Sequence, residues 1–127
     1  MMMLPEFIPE ELEAPQLDLL GRQLSKEVAR LGKLVAQYES DYTAKTKAYK
    51  LELAKAKILY KDAKYNATMI NAMAETSEAV QKAANELQQA EAILIIGKAE
   101  LDGRESQYQM VKKIIDLKIQ ELRTFRG

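Results

Sequence analysis

In the second half of this chain Val80, Leu87, Leu94, Leu101, Tyr108, Ile115 and Leu122 recur at every seventh position without a miss. A seven-residue apolar repeat keeps one stripe of an α-helix turned to one side, so it predicts a long amphipathic helix covered by another helix. Ala83, Ala90, Val111 and Phe125 fill most of the companion positions. At a rise of ~1.5 Å per residue the stripe is about 63 Å long, which predicts a rod-like helix rather than a globule. Helix breakers are correspondingly scarce. Proline occurs only at Pro5, Pro9 and Pro15, and no glycine lies between Gly32 and Gly97, so a β-sheet reading fails there.

The first half carries a second stripe, Leu20, Leu24, Val28, Leu31, Val35, Tyr38 and Tyr42, at alternating steps of four and three. Lys45 occupies the next position, and the pattern resumes as Tyr49, Leu53, Ala56, Tyr60, Ala63, Ala67 and Ile70, with a stutter that locally unwinds the supercoil. The chain therefore reads as all-α, a long antiparallel, coiled-coil-like hairpin. Residues 1–15 form an acidic, proline-containing arm with one turn over Pro9 to Leu12, and Pro15 suits the first turn of a helix. Residues 16–127 form the hairpin, with helices over about 16–70 and 78–125 and a tip over about 71–77. The chain must reverse without Gly or Pro. Asn66, Thr68, Asn71, Thr76 and Ser77 can take backbone hydrogen bonds locally, which puts the tip near Ala74 to Ser77. The alternative is one straight helix that pairs between chains. Gly97 and Gly103, each costing ~1 kcal/mol relative to Ala inside a helix, predict close backbone approach or a kink.

More apolar surface is present than one hairpin hides. Ile93, Leu94, Ile95 and Ile96 point around nearly the whole helix, and Ile114, Ile115, Ile119 and Leu122 make a stripe wider than one partner needs. These eight residues are the predicted interface of a homo-oligomeric bundle or ring. The competing reading has the leading arm fold back over them within one chain.

Chemistry has little to work with. The chain has no Cys and no His, which excludes disulfides, thiolate nucleophiles, Ser-His and Cys-His systems and Cys- or His-ligated metals. Acid pairs such as Glu10 with Glu13 or Glu75 with Glu78 read as solvated helix faces, and there is no Gly-rich phosphate loop. No cofactor, metal or enzymatic activity is expected. The start meets Pro5 and Glu6 before any basic or long apolar region, unlike a secretory signal. The longest apolar run of the second half, Ala92 to Ile96, falls far short of the ~20 residues that cross a bilayer. A cytoplasmic protein without a membrane partner is expected.

Lys and Arg balance Asp and Glu at nineteen each, but they are unevenly placed. Thr43 to Ala67 holds seven lysines against Glu52 and Asp62, a balance of +5, while Thr68 to Ser106 runs to −4 and the tail from Gln107 to +3. In the first of these segments Lys45, Lys47, Lys50, Lys55, Lys57, Lys61 and Lys64 interleave with Tyr49, Tyr60 and Tyr65 just after Tyr42. Single-stranded nucleic acid is held by positive charge for phosphates and flat rings for bases. Composition alone reads the same residues as a solvated lysine face over a Tyr-containing coiled coil.

The segment Leu53-Ala54-Lys55-Ala56-Lys57-Ile58-Leu59-Tyr60 resembles the Lys-Ala-Arg/Lys-x-x-Tyr stretch of the UvsY-like recombination mediators of phages. The order of parts is similar too, from an acidic start to the closing Leu122-Arg123-Thr124-Phe125-Arg126-Gly127. Where that family has a Gly-containing linker after the basic element, this chain has Asn66 to Ser77. The resemblance implies a ring-like homo-oligomer in a phage-infected bacterial host. Such an assembly binds single-stranded DNA and helps load a RecA-type recombinase where a single-strand DNA-binding protein sits. It also implies DNA contacts from Lys55 and Lys57, to which the pattern of charges and rings adds Lys50, Lys61, Lys64, Tyr60 and Tyr65. The rival reading is a non-enzymatic coiled-coil adaptor, scaffold or phage-encoded inhibitor acting through protein contacts. A membrane-surface helix fits less well, because both stripes look occupied.

Overall fold

The computed structural model describes residues 13–126, the side chains of Ala14, Phe125 and Arg126 excepted. The expected arm and its turn at Pro9 to Leu12 lie outside the described residues. Three helices follow in order, α1 (Ala14–Asp62), α2 (Ala67–Thr76) and α3 (Glu78–Arg126), with no strand among the described residues. At the start of α1 the Gln16 side chain accepts a hydrogen bond from the backbone N–H of Glu13 at 3.0 Å, the reciprocal half of a capping box. Pro15 then sits at the second helical position, where its missing N–H costs nothing.

The expected boundaries shift in one place. The first helix ends at Asp62 rather than near 70, and Ala67–Thr76, which includes most of the expected tip, is helical. Two local effects account for this. Lys64 adopts φ 66°, donating its N–H to the Lys61 carbonyl at 3.0 Å, while Tyr65 donates to the Tyr60 carbonyl at 3.4 Å. These paired bonds form a Schellman motif that satisfies the last carbonyls of α1. Asn66 then caps α2, its side chain accepting from the Met69 N–H at 2.9 Å. Thr76 stays helical by donating its hydroxyl back to the carbonyls of Ala72 and Met73. Ser77 ends α2 and its Oγ accepts from the Val80 N–H at 3.3 Å, so it caps α3.

The chain forms two compact units. The first combines α1 up to Lys33 with α3 from Ala99 onward. Its core is Leu17, Leu20, Leu24, Val111 and Ile114, with Tyr108 and Ile115 packed against it. Gly21 lies opposite Val111 and Ile115, where an added Cβ would find ordinary contacts at 3.6 and 3.8 Å. Arg30 donates to both carboxylate oxygens of Glu27, and this hydrogen bonding, followed by the charges of Arg30 and Arg104, holds the Glu27 carboxyl below its ordinary range.

The second unit is Leu34–Lys98. Val35, Ala74, Val80, Ala83, Ala90 and Leu94 are its buried apolar residues. Gly97 is buried against Tyr38 and Val35, and a Cβ there would come within 2.9 Å of Tyr38 Cδ2. This close approach is the one expected of Gly97. Gly103, by contrast, has nothing within 4 Å of that position. Lys45, the charged residue in the apolar stripe, is half-buried and paired with Glu86 at 3.5 Å, and Lys98 pairs with Glu39 at 3.6 Å. Tyr42, Tyr49, Leu53 and Tyr60 are half-buried along the same stripe. Leu122, counted in the heptad stripe of α3, is exposed. No helix among the described residues is long and apolar enough to cross a membrane.

Candidate nucleic-acid interface

The basic segment occupies the last turns of α1 and the turn that follows it. A helix repeats its faces about every 3.6 residues, so Lys50, Lys57 and Lys61 share one side of α1, with Lys47 one turn earlier. All four side chains are exposed. Lys55, also exposed, lies on another side and pairs with Glu52 at 3.8 Å. The two lysines singled out by family resemblance, Lys55 and Lys57, are thus parted around the helix. Between them lie Leu51 and Ile58, which are 55% and 61% exposed, so the outward face of α1 has an apolar centre flanked by lysines.

Past Asp62 the chain turns sharply. The Schellman motif brings the Tyr65 ring against the Tyr60 ring, with centroids 6.2 Å apart and planes at 70°. This edge-to-face pair occupies the positions where such a turn usually places its apolar contact. Tyr60 is half-buried beneath it and Tyr65 is exposed. Lys64 stands exposed at the left-handed position of the turn, beside both rings in sequence. Lys61, in the last turn of α1, also sits where the helix dipole favours a cation.

Sequence reasoning selected these lysines and rings but missed the turn that gathers Tyr60, Lys64 and Tyr65. Its usual marker is a Gly at the left-handed position, and here that residue is Lys64. The five-residue spacing of Tyr60 and Tyr65 was the remaining signal.

The eight predicted interface residues divide. Ile93, Ile95, Ile96, Ile119 and Leu122 are exposed, whereas Leu94 and Ile114 are buried within the chain and Ile115 packs on the first unit's core. Leu94 and Ile114 are therefore core residues of a single copy. They face the same way as the heptad stripe, which sequence reasoning had added to the outward count. Among the described residues no group of three or more Asp or Glu is placed to hold a metal ion. No family model, curated protein or solved structure matches the chain.

Proposed function

We propose that this protein is a non-enzymatic, homo-oligomeric helical hairpin that binds single-stranded DNA and acts as a recombination mediator, helping to load a RecA-type recombinase onto DNA covered by single-strand DNA-binding protein. The observation that carries the DNA-binding part is the grouping of Lys50, Lys57 and Lys61 on one exposed side of α1, continued by Lys64 and the Tyr60–Tyr65 pair. Lysines along a helix track phosphates, and an exposed ring at the end of the track offers a base a stacking surface worth ~1 to 3 kcal/mol. The recombinase and single-strand-binding partners rest on the resemblance around Lys55 to Tyr60. Exposed Ile93, Ile95 and Ile96 support assembly with further copies, since apolar side chains left on more than one side of a helix call for more than one partner.

Fluorescence anisotropy of a labelled oligonucleotide tests the reading. If each protomer neutralises about four phosphates of a single strand, log K falls against log salt with a slope near −3. The combined change Lys50→Ala, Lys57→Ala and Lys61→Ala flattens that slope by about two, whereas Lys55→Ala flattens it by less than one. Unchanged affinity and slope in the triple variant refute DNA binding by this face. Self-association with no salt-dependent oligonucleotide binding favours the adaptor or inhibitor reading, which the exposed Leu51, Ile58 and Leu59 would then serve.

A further inference from the structure

The first unit has a cationic cleft of its own. Along the seam between α1 and α3, an open cleft of about 480 Å³ is lined by Arg22, Ser25 and Lys26 from one helix and by Tyr108, Lys112 and Ile115 from the other. Its size falls within the ~300 to 1,000 Å³ of small-ligand sites. Arg22 and Lys26 are one turn apart on the same face of α1. Lys112 comes from the facing helix and holds its ammonium 5.7 Å from the centre of the Tyr108 ring. These three cations meet one carboxylate in the cleft, that of Asp18. Asp18 pairs with Arg22 at 3.1 Å, but both side chains are exposed, and an exposed pair is weak enough for a competing anion to displace it.

The bottom of the cleft supplies an independent observation. Gly21 lines it and is buried. Inside a helix glycine is less favourable than any residue except proline, so its presence calls for a reason. Packing within the chain gives none, because an added Cβ would meet Val111 and Ile115 at ordinary contact distances of 3.6 and 3.8 Å. The missing side chain leaves the bottom of the cleft open. A neighbouring cleft of the same unit has the opposite character: Asp102 and Glu105 line it, with no base among the described residues there. An anion is therefore favoured in the first cleft and repelled from the second.

We infer that the cleft over Gly21 is a second nucleic-acid contact that takes one nucleotide of a single strand. The phosphate sits among Arg22, Lys26 and Lys112 with the Ser25 hydroxyl as a further donor, and the base rests against Tyr108 and Ile115. Single-strand sites need positive charge beside a flat apolar surface, and both are present in this one cleft. The inference deepens the proposed single-strand binding and rests on it.

Anisotropy of a labelled oligothymidine with the full-length protein tests the assignment. Arg22→Ala with Lys112→Ala, both at exposed positions, is expected to lower affinity about tenfold at low salt and to flatten the salt slope by about one, with helicity unchanged by circular dichroism. Gly21→Ala keeps every charge and is expected to weaken binding several-fold while the urea midpoint stays the same or rises. As a control, Lys33→Ala with Lys113→Ala removes the same charge from exposed positions of this unit that do not line the cleft, and it is expected to change affinity far less. Parent-like binding by either cleft variant overturns the inference, and so does a control pair that matches the cleft pair. If the cleft variants bind like the parent while the Lys50, Lys57 and Lys61 variant does not, only the cleft is struck out. A parent protein that binds no oligonucleotide removes the proposed function and the cleft together.

Discussion

Gly97 and Gly103 are the same residue in the same helix, yet their surroundings give opposite expectations. At Gly103 a methyl group meets nothing, so Gly103→Ala should raise stability by ~1 kcal/mol through helix propensity alone. At Gly97 the same methyl presses on the Tyr38 ring, and overpacking of this kind costs ~1 to 3 kcal/mol, which cancels or exceeds the propensity gain. Parallel urea titrations of the two variants check the contrast, and equal stabilisation by both would show that the Tyr38 ring yields freely. Lys64 offers a related test. A left-handed backbone costs a side-chain-bearing residue ~1 to 2 kcal/mol, so Lys64→Gly should stabilise the fold. On the proposed function it should also weaken oligonucleotide binding. Thermal melts and anisotropy on that one variant separate the two effects, and a gain in stability with no loss of binding would remove Lys64 from the interface.

At the level of elements, the sequence made the helices legible and the joint between α1 and α2 obscure. The heptad spacing from Val80 to Ile115 and the stripe from Leu20 to Tyr42 depend only on side-chain period, which a helix reads directly. Lys45 also kept its place in the stripe because Glu86 supplies a partner for its charge. The end of α1 was hidden because it is set by backbone bonds of Lys64 and Tyr65 rather than by Gly, and the helical Thr76 differs from its expected place in the tip because its hydroxyl bonds back into the helix. The heptad spacing sets the covered Leu94 apart from its exposed neighbours Ile93 and Ile95, whereas counting apolar residues around the helix groups all three together. Asn66 is the testable part of the joint: Asn66→Ala removes the cap of α2 and should cost ~1 kcal/mol, read as a lower urea midpoint. The Glu27–Arg30 pair gives a pH signature. A carboxyl whose pKa is lowered on folding contributes stability that is present above the unfolded value of 4.5 and fades as pH falls through the folded value. The melting-temperature gap between the parent and Glu27→Gln should therefore be present near neutral pH and shrink through the acid range. A gap that grows on acidification would contradict the assigned cause.

For the molecule as a whole, the proposed assembly makes its own prediction. Ile93, Ile95 and Ile96 are exposed in a single copy, so Ile93→Ser with Ile96→Ser should lower the mass seen by light scattering while leaving helicity intact. Unchanged mass would place the contacts between copies elsewhere. The second unit also answers a problem that every seven-residue repeat creates. Because one heptad looks like the next, α1 and α3 could slide past each other by seven residues and still cover most of their apolar stripe. Gly97 is the only glycine in α3 between Glu78 and Lys98, so only one alignment gives the Tyr38 ring a gap to enter. Glu39 with Lys98 and Lys45 with Glu86 favour that same alignment. A repetitive sequence thereby carries a single notch that fixes its register, and filling the notch is expected to loosen that choice before it unfolds the helices.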